Sequence, residues 1–276
     1  MQASILTQER IPAPLRDIPG PPRCLHCRGV LPEGPFVAVV GTRKPTAYGR
    51  RVTGMIAGRL ARAGAVVVSG LALGIDAIAH RAALDAGGKS VAILPSGLRD
   101  VDITPRANLG LARQVFERGA LLSEYPEGSG ARKEYYEDRN RLISGLAGAV
   151  VVVEGGRPSG TLITARHAGE QSREVWAVPG PIDSPQSKGT NWLIETGAEP
   201  LFSIDTFMES LGLADGRQPS LGEPGDLATV LGVGPCHVDE IATRLGQPAY
   251  EVESELTKLE LAGAVRHVGE RHYVLA

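Results

Sequence analysis

Four segments of the chain carry residue types that could hold an anion. In VAVVGTRKPTAYGRR an apolar run ends at Val40, Gly41 permits a tight turn, and a helix is expected near Tyr48–Gly49. Free N–H groups at a helix start, with the helix dipole, attract anions. Gly41, Thr42 and Arg43 form the turn, and Arg43 and Lys44 add charge there. A guanidinium can fork two bonds to one phosphate. The spacing is neither a Walker A loop nor the GxGxxG dinucleotide fingerprint. A plain βα turn with a surface Arg would carry the same residues.

The next three segments repeat the plan. In VVVSGLALGIDAIAH, Gly70 and Gly74 bracket a strand end, Asp76 is placed to cap a helix, and His80 follows one turn later. A metal held by Asp76 and His80 would need a further ligand, so a cap and a hydrogen-bonded helix His is the preferred reading. AILPSGL offers Ser96 and Gly97. VVVVEGGRPSGTLITA is richer. Gly155, Gly156 and Gly160 keep side chains clear, while Ser159, Thr161 and Thr164 offer hydroxyls at another expected helix start.

ARKEYYEDRNRLISG differs in kind. Arg132, Lys133, Arg139 and Arg141 accompany Tyr135, Tyr136 and Asn140. Cations for a backbone and a ring for a base are what an unpaired nucleic-acid strand needs. A solvated basic helix start with a core Tyr fits the composition too, although an Asn between two Args looks placed.

Positioning these loops requires regular elements. Short β-branched runs stand at Val37–Val40, Ala65–Ser69, Ser90–Leu94, Ala120–Leu122, Ala149–Val153 and Glu174–Val178. Helical spacing fills Arg50–Ala63, Ile75–Ala86, Arg106–Arg118, Arg139–Leu146 and Thr161–Gln171. The alternation predicts an α/β fold: a Rossmann-like, doubly wound, mostly parallel sheet with its loops lining one crevice at the carboxyl ends of the strands. Residues 1–35, rich in Pro and Arg, read as an arm, and 36–211 as the main domain. Residues 212–225 read as a linker, and 226–276 as a small winged-helix domain. That domain is expected to hold helices at Leu227–Leu231, Val238–Leu245 and Tyr250–Ala262 and strands at Val265–Val268 and His272–Leu275.

Composition narrows the function classes. With 42% hydrophobic but only 4% aromatic residues, the core must come from Val, Ala, Leu and Ile, which suits buried parallel strands. At a net charge of -2 the chain as a whole is not a polyelectrolyte partner, but Arg residues crowd the first sixty positions and Glu the last fifty. An anion belongs with the N-terminal two thirds. Cys24, Cys27 and Cys236 are too few and odd in number for a disulfide scaffold, which points to a reducing compartment. With no apolar leader and no membrane-length run, the cytoplasm is the expected location.

Taken together, VAVVGTRKPTAYGRR, VVVSGLALGIDAIAHRAAL, ALLSEYPEG, RNRLISGLAGAVVVVEG, SGTLITARHAGEQSREVWAVPGP and GTNWLIETGAEPL resemble the DprA/Smf family, bacterial DNA-processing proteins of natural transformation. The blocks cover nearly all of 36–201. The resemblance implies an extended Rossmann-like domain that binds single-stranded DNA, forms homodimers, protects the incoming strand and loads the recombinase RecA onto it. It implies a DNA pocket of Arg43, Lys133, Tyr136, Arg139, Asn140, Arg141, Ser159, Gly160 and Thr161. Two departures stand out: Tyr136–Glu137 replaces the family's Phe-Pro, and Thr104–Pro105 its Tyr-Pro. The sterile-α-motif-like domain of many members is not among these residues.

The main rival is an enzyme. Nucleotide-binding phosphoribohydrolases of the same superfold resemble this chain in a Gly-Gly…Gly-Thr loop followed by a catalytic Glu, but Thr164 stands three residues after Thr161. The acid that hydrolysis needs is missing there, so no catalytic residue and no cofactor is expected. Cys24-Leu25-His26-Cys27 lacks a second ligand pair for a structural zinc, and no metal is expected. The helix Tyr250–Leu261 carries Glu251, Glu253, Glu255 and Glu260 against Lys258, a poor composition for reading duplex DNA; a protein-contact or autoregulatory role is expected. In the crevice, Arg43, Lys133 and Arg139 would neutralise phosphates while Tyr136 stacks on a base, worth ~1–3 kcal/mol.

Overall fold

Short β-branched runs alternating with helical spacing produce the sheet that the periodicity predicts. A computed structural model describes residues 3–213, 230–231, 234–261 and 263–275. The chain divides into two compact units, Met1–Gly216 and Arg217–Ala276. In the first unit the strands are β1 (Ser4–Leu6), β2 (Leu25–Gly29), β3 (Phe36–Val40), β4 (Val66–Ser69), β5 (Ser90–Ile93), β6 (Ala120–Ser123), β7 (Ala149–Val152), β8 (Glu174–Ala177) and β9 (Glu199–Pro200). The helices are α1 (Ala13–Arg16), α2 (Ala47–Arg62), α3 (Ile75–Asp85), α4 (Leu109–Glu117), α5 (Lys133–Leu146), α6 (Gly160–Glu170), α7 (Lys188–Glu195) and α8 (Ile204–Ser210).

The nine strands lie in the order β1-β2-β6-β5-β4-β3-β7-β8-β9. From β6 to β9 all pairings are parallel. Every residue of β4, β5, β6 and β7 is buried, as strands covered on both faces must be. Side chains alternate across the pleat. Ala38, Val40, Val66, Val68, Val150 and Val152 pack with Leu142, Ile143 and Leu146 of α5 and Ala165 and Ala168 of α6. Val37, Val39, Val67 and Val151 pack on the other face with Ile56 and Leu60 of α2 and Ala79 and Ala83 of α3. Each buried Val, Leu or Ile side chain among these contributes about 1.5–3 kcal/mol.

The chain leaves β3 toward β4 on one side and returns to β7 on the other, so the winding reverses between β3 and β7. In open α/β sheets the loops part at such a reversal and leave a crevice.

Residues 1–35, expected from their Pro and Arg content as an extended arm wrapping the next domain, lie against it with regular strands of their own. β1 pairs antiparallel with β2 (Ser4↔Cys27), and β2 with β6 (Cys27↔Leu122), so the segment forms one edge of the sheet. Leu15, Leu25 and Cys27 are buried in the same core as Leu142 and Leu146. A period-two pattern was present, with Leu25 and Cys27 buried and His26 and Arg28 half-exposed, but five residues are too few to stand out among prolines. Beyond Glu174–Ala177, α7, β9 and α8 complete the unit.

The second unit is a winged helix. Helices Val238–Leu245 and Ala249–Leu261 pack on β11 (Val265–His267) and β12 (His272–Leu275), joined by β10 (Cys236–His237) in the order β10-β12-β11. Gly246 ends the first helix at φ 64, the left-handed geometry that favours glycine. Val238, Ile241, Val252, Leu256, Val265 and Tyr273 form its core. The expected linker beyond Gly212 and Leu213, and all but Val230 and Leu231 of the expected helix Leu227–Leu231, lie outside the described residues.

Candidate functional site

At the carboxyl ends of β3 and β7 lies a cleft of ≈ 410 Å³. Its walls bring together three elements. The turn after β3 supplies Gly41, Thr42, Arg43 and Lys44. α5 supplies Tyr136, Arg139, Asn140 and Ile143, and the start of α6 supplies Ser159, Gly160, Thr161 and Thr164. Helix geometry explains the α5 set, because residues 136, 139, 140 and 143 recur at the spacing of one face.

The same geometry removes Arg141, which projects from a different face. Its guanidinium pairs with Glu124 at 2.5 Å, so Arg141 is not in the cleft, contrary to expectation. Lys133 is the first residue of α5, exposed and one turn ahead of Tyr136, and it stands outside the cleft lining.

Arg139 reaches the cleft but is not a free cation. It is 4% exposed, and its Nη1 donates to the carbonyls of Gly70, at 2.7 Å, and Ile93. Burial lowers its pKa to about 10; the Asp76 carboxylate acts against that shift and the Arg43 charge adds to it. A Cβ on Gly70 would come within 2.7 Å of the guanidinium, so glycine is what admits this Arg. The expected phosphate ligand is therefore a brace between the ends of β4 and β5. Gly70 stands behind it and not in the lining.

Ser96 and Gly97 are also absent from the cleft. Ser96 is fully buried, with its Oγ donating to Gly97 O and its carbonyl accepting from Ser123 Oγ. Gly97 N donates to Ser129 O at 2.8 Å, and a Cβ on Gly97 would meet Pro126 O at 2.8 Å. β5 lies two strands from the reversal, and the segment 126–129 closes over its loop.

Tyr136 is the half-buried ring of the site. The Arg43 guanidinium carbon lies 5.3 Å from its centroid and that of Arg139 5.9 Å, a cation–π arrangement on both counts. Arg43 is exposed. Asn140 Nδ2 donates to Gly160 O at 3.4 Å and ties α5 to the start of α6.

The helix starts around the cleft are not equivalent. α2 begins at the N-cap Thr46, whose Oγ1 accepts from Gly49 N. Glu154, 3% exposed at the end of β7, accepts from Thr46 N at 2.9 Å and from Thr46 Oγ1 at 2.5 Å. Asp76 does not cap its own helix as expected. Its Oδ2 accepts from Gly70 N at 3.1 Å and Ala72 N at 3.3 Å, so it braces the preceding turn. Burial raises its pKa against the opposing effects of Arg139 and these donors. α6 has no such carboxylate: its N-cap Ser159 makes no side-chain cap bond, and the buried Ser159 Oγ makes no hydrogen bond among the described residues. Sequence reasoning passed over Glu154, although an acid directly after four valines and before two glycines marks a buried carboxylate at a strand end.

His80 is fully buried, with Nδ1 2.7 Å from Ser90 Oγ, which itself donates to Val67 O. Ser90 has no second proton, so His80 carries its proton on Nδ1. Burial, aided by Arg139, lowers its pKa to about 3. Among the described residues no group of three or more His, Cys, Asp and Glu is placed to hold a metal, and no helix is long and apolar enough to cross a membrane. A larger hollow of ≈ 760 Å³ runs along α6 and α7, walled by Leu162, Val175 and Trp192. Its exposed lining is mostly apolar, although Arg157, Arg166, Arg173, Glu174 and Glu199 also border it.

Comparison with known proteins follows the same division. Residues 2–212 match the family model described as DNA recombination-mediator protein A, and residues 198–270 match the DprA winged helix domain. Protein Smf of Escherichia coli is 40% identical over 247 residues, covering 84% of this chain and 66% of that protein. DNA processing protein DprA of Bacillus subtilis is 40% identical over 209 residues, covering 75% and 70%. The solved structure of DNA processing protein A from Helicobacter pylori, described for its single-stranded DNA binding mode, aligns with a TM-score of 0.69 at 32% identity. It covers 76% of this chain and 96% of that one.

Proposed function

The chain belongs to the DNA recombination-mediator protein A family, the DprA/Smf proteins, and from that premise we propose that its cleft binds single-stranded DNA without catalysing a reaction on it. The observation that carries this reading is the convergence of Arg43, Tyr136 and the carboxylate-free start of α6 on one cleft. A phosphodiester meets Arg43 and the donors of Ser159, Gly160, Thr161 and Thr164. The adjoining base stacks on Tyr136. Lys133 meets the next phosphate outside the cleft, and Asn140 holds α6 in place.

Backbone contacts with stacking give little sequence preference, and paired bases cannot be splayed onto a ring. A hydrolase of the same superfold would need a carboxylate where Thr164 stands. The acid that lines the cleft, Asp76, has its Oδ2 engaged by two backbone N–H groups.

In the cell we read the protein as a cytoplasmic homodimer that shields a single strand and delivers it to RecA during transformation and recombination. Two clefts on one particle would raise avidity on a long strand. The similarity of this chain to the DprA and Smf relatives supports that reading.

The test is fluorescence anisotropy of a labelled oligothymidine and of the matching duplex over a range of salt concentrations. Binding to the single strand should weaken with salt, with a slope of about -0.7 per phosphate neutralised, and duplex binding should be weak. Equal affinity for both, or no salt dependence, overturns the assignment. RecA filament assembly on strands coated with single-strand-binding protein then tests delivery.

A further inference from the structure

Glu154 lies outside the cleft lining, yet it engages the start of a helix beside it. In doubly wound sheets the start of the helix after the first strand of the winding is where a ligand phosphate sits. Here that helix is α2, and the Glu154 carboxylate takes Thr46 N and Thr46 Oγ1. The fit is close, because a Cβ on Gly49 would collide with the Glu154 carboxylate. Thr46 and Glu154 are not in the cleft lining, but Glu154 O accepts from Thr42 N of that lining at 2.7 Å, so the filled seat borders the cleft.

Asp76 does the same for the turn after β4, where its Oδ2 accepts from Gly70 N and Ala72 N. Of the three turns that reach the cleft, only the one that opens α6 has no carboxylate accepting from its backbone N–H groups and no side-chain cap. There the buried Ser159 Oγ makes no hydrogen bond among the described residues.

We propose that Glu154 is a specificity-determining residue: it fills the phosphate seat of α2 with the protein's own carboxylate, so the cleft accepts one phosphodiester phosphate at the start of α6 and rejects nucleotides that carry a second phosphate toward α2. The proposal rests on the cleft being the DNA site. A strand presents singly charged phosphates spaced by sugars, which one seat satisfies. A nucleoside diphosphate would bring a second phosphate up against Glu154 and meet repulsion from a like charge in a partly dry site.

Inorganic phosphate titrated into the isotope-labelled full chain, with backbone amide resonances followed by NMR, tests this on the unmodified protein. Shifts are expected at Gly160 and Thr161, with none at Thr46 through Gly49. Shifts at Thr46–Gly49, or none at Gly160 and Thr161, overturn the proposal. Glu154→Ala vacates the seat. Its amides at Thr46–Gly49 should respond to phosphate, and its affinity for pyrophosphate should rise about tenfold over the unmodified chain; an unchanged pyrophosphate affinity in folded Glu154→Ala counts against it. If that variant does not fold, the map on the unmodified chain still decides. Oligothymidine anisotropy on the same samples separates the two ideas. Loss of strand binding removes the DNA reading, while the phosphate map reports on Glu154 regardless.

Discussion

The tripeptide Pro-Ser-Gly occurs twice at the carboxyl ends of parallel strands, after β5 as Pro95-Ser96-Gly97 and near the start of α6 as Pro158-Ser159-Gly160. The two copies have opposite fates. The first is shut under residues 126–129, with Gly97 held by Ser129 O and Ser96 fully buried. The second opens a helix into the cleft, and nothing lies within 4 Å of where a Cβ on Gly160 would be. Identical local chemistry therefore becomes brace or binding surface according to the strand that carries it. β5 lies inside a run wound in one direction, while β7 adjoins the reversal, where neighbouring loops part.

The largest effect that sharpens this contrast comes from the brace itself. Arg139→Ala removes the charged donor to the carbonyls of Gly70 and Ile93 and the positive charge that favours the buried Asp76 carboxylate. Hydrogen bonds from a charged donor are worth about 1.5–3 kcal/mol each, and a loss of roughly 3–5 kcal/mol in urea unfolding is expected. If Arg139→Ala instead leaves stability unchanged and abolishes strand binding, Arg139 is a phosphate ligand after all.

Next comes the paired substitution of the two glycines. Gly97→Ala overpacks against Asp102 and Pro126 and should cost about 1–3 kcal/mol of stability. Gly160→Ala should stay within about 0.5 kcal/mol. Equal stability losses would break the contrast between closed and open loops.

On the open side, Tyr136→Ala should weaken oligothymidine binding by ~1–3 kcal/mol without altering the salt slope. Arg43→Ala should weaken binding and lower the slope by about 0.7. Matching slopes in the two variants would sink the division of roles.

A pH dependence seated on the closed side extends the contrast. Burial holds His80 neutral in the fold down to a pKa of about 3, against about 6.5 for an exposed imidazole. Between those values only the unfolded chain takes up the proton, so stability falls as pH drops below 6.5, by at most ~1.4 kcal/mol per pH unit. His80→Gln should flatten unfolding free energy between pH 6.5 and pH 4.5, and an unchanged acid limb would place the titrating group elsewhere.

Much of this was legible in the residues. Valine-rich runs placed β3, β4, β5 and β7 within a residue or so, because a fully buried strand leaves only apolar residues to see. The cleft loops were legible for the same reason, each lying where such a run gives way to glycine. What could not be read was which side chains fold inward. Arg139 sits among Asp138, Asn140 and Arg141, and only the path of α5 past the ends of β4 and β5 buries it. Arg141 follows two residues later and is carried round the helix to Glu124. β2 stayed hidden because its partner β6 is remote in sequence, and α7 and α8 because helices of seven or eight residues carry too few turns for periodicity to show.

The edge formed by β2 also fixes an order of events during synthesis. Gly29 pairs with Ala120, a partner made roughly ninety residues later. At ribosomal rates of about 5–20 residues per second, β2 waits about 5–20 s for its place. Leu15 and Leu25, emptied of water in the finished sheet, are wet for that interval. A stretch made about ninety residues before its partner is thus locked late, and a nascent-chain chaperone would find an apolar target there.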